Sequence, residues 1–376
     1  MTDPNELMRL RTELDRIDRE LVERAAARQR TVSRIGEIKH GSGRQLRDFA
    51  REREVLDGVR SHARECRLDP DVAEQLMTTL IEASLTRQER ERVRLTGAGS
   101  GRRALVVGGK GRMGGWMVRF LASQGYEVRI ADPAVEADGN GHVTDWRRAG
   151  FEVELIVVAA PIAASRDVVA GLAERGTAAL VLDVASIKDP LVGPLRDAAA
   201  RGLRICSIHP MFGPGTVLLA GRNVLFMDCG HAGAVDDARA LFADTMAACL
   251  DVPLEQHDRV AAWVLGLSHL VNVAFAASLA KSGHEAGTLA ALSSTTFLRQ
   301  LDVAAGVAAE NPSLYFEIQR LNPHQSEAAT RFAETLEALR SAVADGDAEG
   351  FAELMRAGRE WSHAVRRAGD SAHDEG

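Results

Sequence analysis

Apolar side chains recur at Leu7, Leu10, Leu14, Ile17 and Leu21, and again at Ile35 and Ile38. Alternating steps of three and four predict one long helix over residues 5–40 with a buried stripe. The seven-residue register through Leu7, Leu14 and Leu21 puts Arg28 where an apolar residue belongs. A guanidinium on a buried face needs an anionic partner, supplied by the protein or by a ligand. Lys39 follows about three turns on and projects from nearly the same face, whereas Arg11 is rotated away by roughly 80–100°. Arg11 is therefore better placed to serve a site on a partner subunit. Asp48, Arg51 and Glu52 open a second helix that continues through Val55, Leu56 and Val59. A third begins at Asp69-Pro70, an N-cap followed by proline at the first helical position. It runs through Val72, Leu76, Leu80 and Ile81 to Ser84 and Gln88. Three such helices make a thin core, which points to a dimer. The small residues Thr96-Gly97-Ala98-Gly99-Ser100-Gly101 predict a flexible linker.

Beyond the linker the period changes. Short apolar runs at 104–107, 155–160, 179–184 and 203–208 alternate with helix-compatible segments, the pattern of a mostly parallel, doubly wound sheet. The first run feeds Gly109, Gly111 and Gly114 in G-x-G-x-x-G spacing, then a helix over Met113–Ser123 and a second strand ending at Asp132. In a dinucleotide site these glycines make the turn, admit the pyrophosphate and pack helix against strand. The helix N-terminus offers N–H groups to phosphate. Asp132 would accept bonds from a ribose 2′-hydroxyl and repel a 2′-phosphate, while Arg129 points off its side, so the expected cofactor is NAD rather than NADP. Ligands of such sheets bind beyond the strand C-termini. Ser186 and His209 fall there, and His209, just off a strand and before a Pro/Gly-rich loop, is the candidate base or hydrogen-bond acceptor.

From about residue 256 the pattern is all helical: Val260–Ala280, Leu289–Gly306 and a helix after Pro323, with His257 and His269 as site candidates. Val260–Ala280 is roughly long enough to span a bilayer. It carries Ser268, His269, Asn272 and Ser278, so the expectation is a helix buried on all sides inside the protein or a dimer interface.

Composition changes little in this picture. The 376 residues allow two or three domains, and 45% hydrophobic with 26% charged residues is the balance of a soluble globular protein. A net charge of −7 gives no basic field, so no nucleic-acid partner is expected. Cys66, Cys206, Cys229 and Cys249 show no C-x-x-C spacing and no metal site, as reduced thiols of a cytoplasmic protein would. The charged N-terminus lacks a signal-peptide core, and no membrane association is expected.

The stretches LRTELDRID, AARQR, GEIK, RDFAREREV and IEASLTRQ resemble the all-helical chorismate mutase domain, an intertwined dimer sharing its long first helix. The resemblance implies a pocket of Arg11 (from the partner chain), Arg28, Lys39, Asp48, Arg51, Glu52, Ser84 and Gln88, and every position matches. Arginines would hold the two substrate carboxylates. Lys39 and Gln88 would donate to the ether oxygen, and Glu52 with Asp48 would receive the ring hydroxyl. GGKGRMGG, AAPI, LDVASIKD, SIHPMFGP, EQHD, GLSH, LSS and NPSLYFEIQ resemble prephenate dehydrogenase. In this order the chain is similar to the bifunctional chorismate mutase/prephenate dehydrogenase family. That implies a three-helix mutase domain at 1–94 and a linker at 95–102. A NAD-binding Rossmann domain at 103–255 and an all-α substrate and dimerisation domain at 256–376 would follow. It places the cofactor against Gly109, Gly111, Arg112, Met113, Gly114, Asp132 and Pro161. His209 would accept the hydrogen bond of the substrate hydroxyl, oriented by Ser186, with His257 and His269 lining the substrate pocket.

One departure stands out. The arginine that pairs with a substrate carboxylate in this family falls where the chain has Gly306. Arg299, about two turns earlier on the same predicted helix, and Arg320 are the candidate replacements. The departure keeps open a rival with the same two folds acting on 4-amino-4-deoxychorismate and 4-amino-4-deoxyprephenate. A non-catalytic ligand sensor would have lost site residues, whereas the mutase set is complete.

Overall fold

The leucine repeat folds as α1 (Pro4–His40), followed by α2 (Phe49–Glu65) and α3 (Pro70–Thr96). The computed structural model describes residues 4–40, 49–97, 99–134, 142–150 and 152–374. At the start of α3 the Asp69 carboxylate accepts the Asp71 N–H at 2.9 Å and Pro70 occupies the first turn, the expected N-cap. The stripe of α1 departs from expectation. Leu7, Leu10, Leu14, Ile17 and Leu21 are 41–61% exposed, so the stripe is not buried within one chain. Ala63, Leu85 and Val93 are the buried apolar residues among the described residues of the three helices, too few for an independent core.

The glycine-rich linker also differs from expectation. A Cβ on Gly97 would lie 2.5 Å from the Gln124 carbonyl oxygen, and one on Gly99 2.2 Å from the Tyr126 ring. The Gly99 N–H donates to that same carbonyl at 3.1 Å. These glycines serve close backbone approach rather than flexibility.

The sheet follows as β1 (Arg103–Val107), α4 (Arg112–Ser123), β2 (Glu127–Ala131), β3 (Leu155–Val158), α5 (Ile162–Arg175), β4 (Leu180–Asp183), α6 (Asp189–Ala200) and β5 (Ile205–Pro210). β6 (Asn223–Asp228), α7 (Ala234–Ala240) and β7 (Ala248–Asp251) complete it. Strand order is β2-β1-β3-β4-β5-β6-β7, parallel except for β6 against β5. β3 and β4 are buried throughout, as parallel strands covered by helices must be. β6 and β7 lie beyond the sequence reading. Loop 211–222 contains no helix to carry the chain across, so β6 returns antiparallel. The core packs Trp116 and Phe120 of α4 against each other at 4.9 Å, and Phe120 against Phe242 at 5.0 Å. β1 pairs with β2 on one side and β3 on the other. The crossover direction therefore reverses at the C-terminal end of β1, the switch point where such sheets bind ligands.

The chain divides into two compact units: Met1–Ser186 with Pro190–Leu254, and Ile187–Asp189 with Glu255–Gly376. The N-terminal helices and the sheet thus belong to one unit. The second holds α8 (His257–Ala261), a π-helical turn (Ala262–Leu267), α9 (Ser268–Ala280), α10 (Ala286–Ala291), α11 (Thr295–Ala308), α12 (Pro312–Leu321), α13 (Gln325–Asp345) and α14 (Ala348–Asp374). Leu254–Ala280 is long and apolar enough to cross a membrane by length and composition, with 22% of its most apolar window buried. The expected all-round burial is therefore absent within one chain: Val260, Trp263, Val264 and Val273 are exposed. α14 likewise exposes Phe351, Met355, Trp361 and Val365 along one stripe.

Candidate active sites

Arg28 sits on the α1 face that meets α3. Its Nη1 donates to the Leu80 carbonyl at 3.1 Å and to Ser84 Oγ at 3.0 Å. Ser84 Oγ also lies 2.6 Å from that carbonyl and 3.1 Å from Gln29 Oε1. Gln88 Nε2 donates to the Val32 carbonyl at 3.0 Å. Burial pushes the Arg28 pKa below the usual guanidinium value. Its partners among the described residues are neutral groups, the Leu80 carbonyl and the Ser84 hydroxyl. Gly36 gives the Gln88 amide its room: a Cβ there would lie 3.1 Å from Nε2. Gln29 and Gly36 escaped the sequence reading, although a glycine within a helix, costing about 1 kcal/mol, was a signal. Arg28, Ser84 and Gln88 are thus brought together within one chain. Glu52 is half-buried, Arg51 is exposed and paired with Glu54, and Arg11 is exposed. Asp48 and the side chain of Lys39 lie outside the described residues.

The glycine loop after β1 fits a dinucleotide. Gly108 adopts φ +83°, and a Cβ there would lie 2.5 Å from the Ala159 carbonyl oxygen of the segment after β3. A Cβ on Gly114 would lie 2.1 Å from the Gly108 carbonyl oxygen, and one on Gly109 2.8 Å from the Ile130 side chain. Gly111 is the N-cap of α4 and no side chain caps it. The first turn of α4, which begins at Arg112 and Met113, thus presents its positive end where such a loop meets a phosphate. Asp132, 8% exposed, accepts the Lys110 N–H at 3.0 Å through Oδ2 and the Ala134 N–H at 2.9 Å through Oδ1. Fixed this way, its remaining lone pairs suit a ribose diol. Arg129 lies 3.6 Å from Glu127 on its own strand. Pro161 is exposed at the N-cap of α5.

His209 is the penultimate residue of β5, buried, and registered opposite Leu225 of β6. The strand runs two residues past its expected end, so the imidazole is anchored inside the sheet rather than just after it. Ser207, two residues earlier on the same face, donates to Asp183 Oδ2 at 2.7 Å. Asp183 Oδ1 accepts the Ala185 N–H at 3.1 Å. This buried pair ties the end of β4, just ahead of the half-buried Ser186, to the strand that carries His209. Asp183 and Ser207 were missed by the sequence reading; an acid closing an otherwise apolar strand was the available signal. The loop after His209 is held from α4, where Trp116 Nε1 donates to the Thr216 carbonyl at 2.9 Å and Arg119 to that of Pro214 at 3.2 Å.

In the second unit His257 Nδ1 lies 2.7 Å from Asp258 Oδ1, and the carboxylate accepts the Lys188 and Asp189 N–H groups, each at 2.8 Å. Burial alone would raise the Asp258 pKa. The bonds from His257 and the two amides outweigh it and hold the carboxyl below its usual range. His269 stacks on Tyr315 at 4.1 Å, and burial brings its pKa down to about 4. Gln319 Nε2 donates to the Gly266 carbonyl of the π turn at 2.8 Å, and Gln325 to Gln319 Oε1 at 2.7 Å; neither glutamine was foreseen. Arg299 and Arg320 project from exposed positions, the latter over the exposed Phe316 ring. Nothing lies within 4 Å of a Cβ built on Gly306, so packing does not dictate glycine there.

A glycine cradle, a helix N-terminus with no side-chain cap and a buried strand-end histidine are the parts of a dinucleotide-binding α/β domain, here preceded by three helices. Residues 10–89 match the chorismate mutase type II family, 135–249 the prephenate dehydrogenase nucleotide-binding domain, and 253–357 the prephenate dehydrogenase dimerization domain. The T-protein of Enterobacter agglomerans is 26% identical over 371 residues, covering 96% of this chain and 95% of that protein. The 4-amino-4-deoxyprephenate dehydrogenase of Streptomyces pristinaespiralis is 32% identical over 266 residues, covering 67% of this chain and 88% of that protein. The crystal structure of A. aeolicus prephenate dehydrogenase with hydroxyphenyl propionate and NAD+ superposes with a TM-score of 0.55 at 20% identity, covering 71% of this chain and 99% of that one. The chain belongs to the prephenate dehydrogenase family and carries a type II chorismate mutase domain in the same polypeptide, the arrangement of the bifunctional T-proteins.

Proposed function

We propose that the chain rearranges chorismate to prephenate and then oxidatively decarboxylates prephenate to 4-hydroxyphenylpyruvate with NAD, on the route to tyrosine. One observation carries the reading: a half-buried arginine stands beside Ser84 and Gln88, in the same chain as a dinucleotide cradle and a buried strand-end histidine. The rearrangement is pericyclic and needs neither nucleophile nor proton transfer. Its catalyst must hold a dicarboxylate in a compact shape and stabilise charge growing on the ether oxygen. Arg28 and Arg51, with Arg11 from a partner subunit, clamp the carboxylates, for which the planar guanidinium is suited. Ser84 fixes Arg28. Lys39 and Gln88 donate to the ether oxygen, and Asp48 and Glu52 receive the ring hydroxyl. Gln88 uses one amide hydrogen on Val32, leaving the other for substrate.

In the second reaction NAD, when bound, supplies the hydride acceptor, cradled by Gly109, Gly111, Arg112, Met113 and Gly114 with Asp132 on the ribose and Pro161 nearby. His209 accepts the hydrogen bond of the substrate hydroxyl, so the carbon that loses hydride becomes a carbonyl-like centre without building positive charge. Ser186 orients the imidazole. Loss of the ring carboxylate as carbon dioxide then leaves an aromatic ring, which makes the step effectively irreversible. His257, His269 and Arg299 bind substrate in the helical block. The domains run 1–94, 103–255 and 256–376 with a connector at 95–102, and the enzyme is a cytoplasmic homodimer.

The amino-series reading has a specific basis in the 32% identity to the Streptomyces pristinaespiralis dehydrogenase. The hydroxy series takes precedence because the T-protein match spans both catalytic regions. NADH formation by the purified protein decides the matter, with prephenate in one cuvette and 4-amino-4-deoxyprephenate in another. A clear preference for prephenate supports the proposal, and preference for the amine replaces it with the amino series.

A further inference from the structure

α3 presents two faces to two different structures. Ser84 and Gln88 face α1, while Leu85, Glu89 and Val93 form a buried face on the other side. Glu89 is 4% exposed. Its Oε2 accepts the Leu219 N–H at 2.9 Å and its Oε1 the Met246 N–H at 2.6 Å. Leu219 belongs to the loop that begins at Met211, immediately after the strand bearing His209, and Met246 lies between α7 and β7. One turn along, Arg92 Nε pairs with Asp244 at 3.1 Å. Burial raises the Glu89 pKa, against the two amide bonds that favour its charged form. A buried carboxylate held by backbone amides alone is costly, and an apolar residue would pack the helix at least as well. The acid is suited to gripping two loops at once.

We propose that Glu89 is a positioning residue for both reactions, fixing the rotation of α3, and hence Gln88, while clamping the loop that follows His209. The inference rests on the two-activity reading above. At the outer helix radius of about 5–6 Å, a 10° rotation of α3 moves the side chain of Gln88 by roughly 1 Å. A displacement of that size can cost about a hundredfold in rate.

The test uses the full-length protein with Glu89→Gln. The amide keeps one acceptor but turns its NH2 toward a backbone N–H, so one grip becomes a donor–donor clash. The expected result is a mutase kcat at least about tenfold lower with chorismate KM within about twofold, since a donor that acts in the transition state affects kcat. Dehydrogenase kcat should fall too. Arg92→Ala, on the same face, should leave both rates within about twofold. In a Gln88→Ala background, Glu89→Gln should lower the mutase no further while still lowering the dehydrogenase. Multiplicative mutase losses, or full activity in Glu89→Gln, overturn the proposal. If Glu89→Gln does not fold, Glu89→Asp, with both acceptors set one methylene back, is measured in the same way. Amide hydrogen exchange at Leu219 and Met246 gives a readout independent of turnover. Faster exchange in the variant supports the clamp and unchanged exchange refutes it, even if the wild-type protein turns over neither substrate and the two-activity reading itself fails.

Discussion

Gly114→Ala isolates the contact between α4 and the end of β1. A Cβ at position 114 would lie 2.1 Å from the Gly108 carbonyl oxygen and 3.0 Å from the Gly109 Cα, whereas ordinary contact is 3.4–4 Å. The first contact is more than an ångström too close, and the obstacle is backbone rather than the tip of a side chain. Relief requires α4 to move away from the loop whose N–H groups are to face the pyrophosphate. Overpacking of this kind costs about 1–3 kcal/mol, and a tenfold change in binding constant corresponds to about 1.4 kcal/mol. If most of that cost falls on the bound state, the KM for NAD rises roughly 5- to 150-fold. Gly115→Ala is the matched control: its Cβ would meet Arg119 Nη1 and the Gly109 carbonyl oxygen at 3.6 Å, ordinary contact, and it replaces a helical glycine, a gain of about 0.5–1 kcal/mol. It should leave the KM for NAD unchanged and raise the unfolding temperature slightly. Initial rates of NADH formation against NAD concentration, with mutase activity followed in parallel, measure both variants. An unchanged KM in Gly114→Ala, or equal effects of the two substitutions, refutes the assignment of this loop as the cofactor cradle.

His209→Asn should cut dehydrogenase kcat by about two to four orders of magnitude, the usual worth of a positioned acid–base group, with mutase activity retained; loss of both activities would indicate unfolding instead. Arg28→Ala should abolish most mutase activity, and Arg28→Lys should restore little because an ammonium lacks the planar fork; steady-state chorismate consumption tests both. His269, with its pKa brought down to about 4 by burial, should stay neutral through the physiological range. The unfolded chain takes up its proton first as pH falls below about 6.5, so this contribution to stability is complete above that pH and is lost as pH falls toward 4. NMR titration of the imidazole should give a midpoint near 4, and a midpoint near 6.5 would contradict its desolvation.

What the sequence reveals depends on how far away the cause of each residue lies. The glycine fingerprint was legible because Gly109, Gly111 and Gly114 answer to backbone within a few residues of themselves, and Asp69-Pro70 because a cap is local. Arg28 was legible as a break in a register, and among the described residues the structure supplies it with neutral partners. Gln29, Ser207 and Glu89 were not legible, and for Asp183 the strand-closing acid was a signal but its partner was not. Each is an ordinary polar residue whose partner lies far along the chain, such as Leu219 for Glu89, and no periodicity encodes that pairing. The linker was misread for a related reason. Glycine serves freedom and close approach equally well, and what decides between them is the Gln124 carbonyl beside Gly97 and the Tyr126 ring beside Gly99.

The exposed stripes belong to the same argument. The sheet closes its core within one chain, with Leu105, Ile156, Val157 and Ile205 at most 1% exposed. The flanking helices do not: α1 leaves Leu7, Leu10, Leu14 and Leu21 more than half exposed, and α14 leaves Met355 and Trp361 at 65% and 72%. Fully burying a leucine side chain is worth about 1.5–3 kcal/mol, so a stripe this long is costly to leave in water. The α1 stripe is periodic, the form a second helix of the same kind covers. Arg11 lies within the stretch spanned by that stripe, while Arg28 lies on the part of α1 that meets α3. A second copy of α1 laid along the stripe would bury its leucines and bring an arginine toward a neighbouring pocket. Covering the stripe and completing the carboxylate clamp would then be a single event, so mutase activity should depend on protein concentration wherever the dimer does.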